Sequence, residues 1–244
     1  MKNKNYYRFK FKYKETAATI LVKRKEDYDV VASAILEARK EIEEFIKKDP
    51  FFLVTLEPYN CSGKVVGRMC RASKLAKVGP MAAVAGTIAQ YAVERAIEDG
   101  IEFVVVDNGG DISMYVNKEL KVGIYTPSKV TQFIGFKIKP SDTTLAICTS
   151  SGTVGHSISF GFADAATVFA KDASIADAFA TSLGNRIKDN LTNSTLKKIL
   201  HTFWNESKYY IDGAMVIKDN LIGMVGNIPE IIKAEIQFDL ITRY

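Results

Sequence analysis

Between residues 101 and 170 the chain offers one short apolar or alternating run after another, with no helical segment between them. The runs cover residues 101–106, 112–116, 121–125, 132–139, 144–148 and 166–170. Parallel neighbours need a crossover of a dozen or more residues, usually a helix, whereas antiparallel neighbours need only a turn. The pattern therefore predicts an α+β fold: a mainly antiparallel sheet with helices packed on it.

The flanking segments supply the helices. Residues 27–48 place Val31, Ile35, Ala38, Ile42 and Phe45 on one stripe, with Glu37, Glu41, Arg39 and Lys47 elsewhere. Asp49-Pro50 ends that helix, because proline disfavours helical backbone in the residue before it. Pro80 opens a second helix near its first turn, where a missing N–H is harmless, and Gly100 closes it. Further helices are expected over about 174–187 and over 194–204. Tyr7, Phe9, Phe11 and Tyr13 alternate with Arg8, Lys10, Lys12 and Lys14, which predicts a strand with one aromatic and one basic face. Its basic face reads either as a binding edge or as charge that blunts edge-to-edge pairing. Hairpins are expected across Asn117-Lys118 and across Asp219-Asn220. No linker divides the 244 residues, so one domain over 1–244 is expected.

Composition narrows the function classes. The net charge of +5 is modest and lies mostly near the ends, which argues against nucleic-acid binding. No apolar run approaches the length of a membrane span, and the basic start has no apolar core of a signal peptide. Cys61, Cys70 and Cys148 are an odd set without a C-x-x-C spacing. That argues against a disulfide framework or a zinc site, and a cytoplasmic setting is expected.

Three polar segments carry candidate chemistry. In Asn108-Gly109-Gly110-Asp111 a buried strand runs into two glycines and a carboxylate. Such a turn lets a phosphate or ring approach backbone amides, and it also serves as an ordinary hairpin turn. In Thr149-Ser150-Ser151-Gly152-Thr153-Val154-Gly155-His156 hydroxyls and amides can donate to an anion, and His156 is a candidate general base. In Asp177-Ala178-Phe179-Ala180-Thr181 a carboxylate and a hydroxyl four residues apart share a helix face. They are hard oxygen donors suited to Mg²⁺, although a lone Asp there also serves as a cap or a solvated charge.

The order of these segments resembles the ApbE-like flavin transferases, which move FMN from FAD to a threonine hydroxyl of a target protein. The resemblance runs from Pro80 to Asn185. It rests on Tyr91-Ala92-Val93-Glu94-Arg95-Ala96, Gly109-Gly110-Asp111, Thr149-Ser150 with His156, and Asp177-Ala178-Phe179-Ala180-Thr181. A shorter branch of that superfamily in archaea and bacteria is more similar still, through Gly79-Pro80-Met81-Ala82-Ala83-Val84-Ala85-Gly86. Ala89-Gln90 stands where the transferases carry Lys-Gly, and no Asp-Pro follows His156.

The resemblance implies a T-fold-like arrangement, FAD or FMN with Mg²⁺ as cofactors, and a protein acceptor as partner; a homo-oligomer is compatible. Asp177 and Thr181 are then the metal residues and His156 or Asp111 the base. Asn108, Gly109, Gly110, Asp111, Thr149, Ser150, Ser151 and Gly152 are then the nucleotide-binding residues. Two further readings stay open: nucleotide binding without catalysis, and an accessory role in sulfur assimilation or homocysteine synthesis with Cys61 as a carrier.

Overall fold

The computed structural model describes residues 6–124, 133–152 and 161–234. Two antiparallel strands, β1 (Tyr7–Tyr13) and β2 (Thr16–Val22), lead into helix α1 (Asp27–Lys48). Next come a one-turn helix α2 (Phe51–Val54), α3 (Val66–Ala76), and a 3₁₀ turn at Pro80–Ala83 that runs into α4 (Val84–Glu98). The strands β3 (Val104–Asn108), β4 (Asp111–Tyr115), β5 (Leu120–Gly123), β6 (Ile134–Ile138), β7 (Leu145–Ser150) and β8 (Ala165–Ala170) follow. Helices α5 (Ala173–Arg186) and α6 (Asn193–Ser207) precede β9 (Gly213–Lys218), β10 (Leu221–Gly226) and β11 (Glu230–Lys233).

Eight strands form one sheet in the order β1-β2-β3-β4-β7-β8-β9-β10, and β11-β6-β5 form a second. Every strand pair described is antiparallel, as the helix-free run of strands implied. The fold is α+β. Ile35, Ala89, Ala92 and Leu183 pack with Val106, Cys148 and Val168 on the helical face of the large sheet. On its other face Met114, Ile147, Phe169 and Met215 pack with Val122, Phe136 and Ile138 of the small sheet. Strands covered on both faces must be apolar throughout, which is why β8 and most of β9 lack alternation.

Two expectations are corrected. The segments flanking Asn117-Lys118 do not form a hairpin: β4 pairs with β3 and β7, and β5 pairs with β6 in the other sheet. Apolar periodicity shows that a strand exists but not which partner it takes. The cysteines do form a disulfide, between Cys61 and Cys70, and only Cys148 is free, in the core. The nine-residue separation gave no recognisable spacing, yet α3 brings Cys70 back over the loop that carries Cys61. α3 itself was not foreseen.

Candidate functional site

The turn joining β3 to β4 has two residues, Gly109 and Gly110, at φ 70° and 103°. Both values lie in the left-handed region that a primed hairpin turn requires and that glycine enters at least cost. Asn108 and Asp111 face each other across it. The Gly110 amide donates to Asp107 Oδ1 at 2.9 Å, so that donor is already engaged within the turn.

Beneath this turn the first residues of α4 meet α5. Asp177 Oδ2 accepts the Gly86 amide at 2.8 Å. The amide of Ala85 also faces this carboxylate. Asp177 thus satisfies first-turn donors of α4, where orphan N–H groups and the helix dipole favour an anion. Close approach is possible because residue 86 is glycine: a Cβ there would sit 2.2 Å from Ala173 O and 2.7 Å from Asp177 Cβ. Asn108 Nδ2 donates to Ala85 O at 3.1 Å, tying the sheet to the same helix start.

The electrostatics of this corner are unusual. Burial pushes the Asp177 carboxyl up to about 7, against the pull of the Gly86 and Ala85 amides. Burial, then repulsion from Asp177 and Asp107, pushes Asp111 well above the usual carboxylate range. Cys148 lies opposite Asp111 on β7 and donates to Ala173 O at 3.4 Å. Burial and then the two carboxylates push its thiol well up, so it is a neutral thiol rather than a thiolate nucleophile. Asp111 Oδ1 is buried and has no hydrogen-bond partner among the described residues, nor do Thr87 Oγ1 and Ser174 Oγ. A buried oxygen left without a donor is costly and calls for a missing partner.

Not all expected residues converge here. Asn108, Gly109, Gly110, Asp111 and Asp177 come together, and Thr181 lies one turn beyond Asp177 on α5. Thr149 is spent inside the sheet, its hydroxyl 3.0 Å from that of Thr167 on β8. Ser150 ends β7, and the Gly152 amide, beyond Ser151, donates to Ala163 O at 3.0 Å. His156 lies outside the described residues. Cys61, bonded to Cys70, is no free thiol here.

The sequence reading missed a crevice of about 450 Å³ between α1, the β1–β2 turn and the start of α4. Ile42, Ile46, Met81, Val84 and Ile88 give it apolar walls, and Asn108 and Ala85 form the end nearest the two carboxylates. Arg39 stands at its edge, bonded to Thr16 Oγ1 at 2.6 Å and to Glu43 at 3.0 Å. Its volume is that of a small-molecule site, and Lys14, Glu15, Thr16, Glu43 and Lys47 share its lining with the apolar walls. The only sequence signal was the small-residue run 81–86.

The residues present fit a hard divalent cation. Among the described residues no three His, Cys, Asp or Glu side chains converge as a ligand group. Mg²⁺, however, needs only one or two carboxylates, with water or phosphate oxygens completing its shell. The repelling pair Asp111–Asp177, with its orphaned Oδ1, supplies that donor set.

The fold places the chain in the class of ApbE-like proteins. It aligns with the flavinyl transferase ApbE of Pseudomonas stutzeri, in its apo form, at TM-score 0.61 and 12% identity, covering 97% of this chain and 96% of that one. The flavin transferase ApbE of Vibrio cholerae aligns at TM-score 0.60 and 15% identity, over 90% and 96%. A family model described as "AbpE bacteria" matches residues 1–204. A UPF0280 protein of Archaeoglobus fulgidus is 53% identical over 97% of this chain and 99% of its own length. The chain belongs to this ApbE-like UPF0280 family. Among the described residues no helix is long and apolar enough to cross a membrane.

Proposed function

We propose that the chain binds a flavin nucleotide, FAD or FMN, in the crevice beside Asn108, with Mg²⁺ at the Asp111–Asp177 pair, and that it transfers FMN from FAD to a protein hydroxyl. The observation that carries this reading is the buried carboxylate pair, with one orphaned oxygen, at the inner end of a crevice of ring-binding size with one apolar wall. The likeness to flavin transferases supports it through the fold.

In this reading Asp177 and Asp111 hold the cation, with the Thr181 hydroxyl one turn beyond Asp177 as a further oxygen, and Asp177 is fixed by its bond to Gly86. When bound, Mg²⁺ supplies charge neutralisation at the pyrophosphate. Ile42, Ile46, Val84 and Ile88 enclose the flat part of the nucleotide and exclude water. Asn108 is held by Ala85 O and orients the ligand at the passage to the carboxylates. His156 takes the proton of the attacking hydroxyl. The hydroxyl oxygen forms a bond to the FMN phosphorus, the P–O bond to AMP breaks, and AMP leaves.

Incubating the protein with FAD and Mg²⁺ and separating the products by chromatography tests this reading. AMP that appears only with the metal, and is lost in Asp177→Ala, is the expected result. FAD bound but unchanged, with every acceptor hydroxyl offered, would leave the chain a flavin-binding protein without transfer.

A further inference from the structure

The segment that follows α1 exposes apolar side chains that the fold does not use. Phe51, Val54 and Leu56 are 59%, 64% and 57% exposed, and Leu53, at 49%, also lines the crevice mouth. Four exposed apolar side chains within six residues form a patch of the order of the few hundred Å² at which such surface marks an interaction site. The patch is rigid. Phe52 is fully buried between Phe45 and Tyr59, with ring centroids 4.8 and 6.1 Å away. The Tyr59 hydroxyl donates to Asp49 Oδ2 at 2.5 Å and closes the segment on itself. A preordered surface gives up little freedom on docking.

We infer that this patch is where a second copy of the chain docks, forming a two-fold dimer that roofs the crevice. Charge favours a second copy. The patch is entered through exposed Lys47 and Lys48 and left through exposed Glu57. An antiparallel meeting about a two-fold axis sets Lys48 of one copy beside Glu57 of the partner subunit, and the reverse. A self-complementary surface of this kind is what a two-fold interface requires. Apolar patches from both copies supply the dry centre, and the lysines and glutamates the polar rim, of an interface in the ~1,600 Å² class. The sheet edges fit less well. β1 would set Arg8, Lys10 and Lys12 against their own copies, and β10 exposes only Ile222 and Met224 as large apolar groups. Because Leu53 belongs to both patch and crevice, the second copy covers the crevice mouth whatever ligand the crevice takes.

Sedimentation equilibrium of the full chain across the micromolar range tests the inference. The expected result is a particle of twice the 27.1 kDa chain mass. Val54→Asp should reduce it to a monomer with an unchanged circular dichroism spectrum, whereas Ile222→Asp should leave the dimer intact. Lys48→Glu should weaken the dimer by up to about tenfold, and adding Glu57→Lys should restore it. The charge pair remains readable if Val54→Asp fails to fold. A wild-type monomer at every concentration, a dimer that survives Val54→Asp, or a charge reversal that the second reversal does not rescue would each overturn the inference.

Discussion

Asp177 on α5 accepts the amide of Gly86 at 2.8 Å, a bond between residues 91 apart that locks one helix to the first turn of another. It makes one carboxylate both a structural cap and a candidate cation ligand. Asp177→Asn separates the two roles, because its amide oxygen still accepts from Gly86 but carries no charge. The metal-free variant should melt no lower than wild type, since a buried charge has been removed, while Mg²⁺ should no longer raise its melting temperature. Asp177→Ala should lower stability by about 1–3 kcal/mol through the unpaired amides. Thermal denaturation with and without Mg²⁺ reads both effects.

Acid should stabilise the metal-free protein. Burial pushes Asp177 to about 7 and Asp111 well up, so the folded chain holds protons that the unfolded chain releases. The contribution is fully present below the unfolded carboxylate value of about 4 and is lost as pH rises through the folded value. Urea unfolding should therefore show the stability from Asp177 falling as pH rises from about 4 to about 7. Mg²⁺ competes with those protons, so its affinity should climb over the same window.

Residue 86 tests how closely the two helices must meet. A methyl group there would collide with Ala173 O and with Asp177 Cβ. Backbone cannot move as a flexible side chain does, so Gly86→Ala should cost about 1–3 kcal/mol or more despite alanine's higher helix propensity. Chemical denaturation measures this directly. Mg²⁺ binding should weaken with it, because the carboxylate is displaced.

The crevice and the carboxylates can be separated. Val84 lines the crevice wall and is partly exposed. Val84→Trp should fill the space and weaken flavin binding by at least about tenfold, while Mg²⁺ alone still raises the melting temperature. Fluorescence quenching of added FAD distinguishes the two.

Much of the architecture was readable before any coordinates. The apolar stripe ending at Asp49-Pro50 set the limits of α1, and strands without intervening helices foretold an antiparallel sheet. Pairing was less legible, because β4 and β5 follow one another yet lie in different sheets, and packing decides that. At the site, Gly109-Gly110-Asp111 and Asp177 were visible as motifs. Cys148 was not, since it reaches Asp111 only through the β4–β7 register. Gln90 shows the same limit. It reads as a departure from the transferase pattern, but its Oε1 accepts from Ser113 at 3.0 Å and from the Ala173 amide at 2.9 Å. That pins the start of the helix bearing Asp177. Partners from four parts of the chain cannot be read from a local window.

Calorimetric titration of FAD into the wild-type protein and into Asp177→Asn, each with and without Mg²⁺, tests the central proposal most directly. It predicts wild-type binding that tightens at least about tenfold with Mg²⁺ and a variant that binds without regard to the metal. Equal Mg²⁺ dependence in both proteins, or no FAD binding at any metal level, would contradict it.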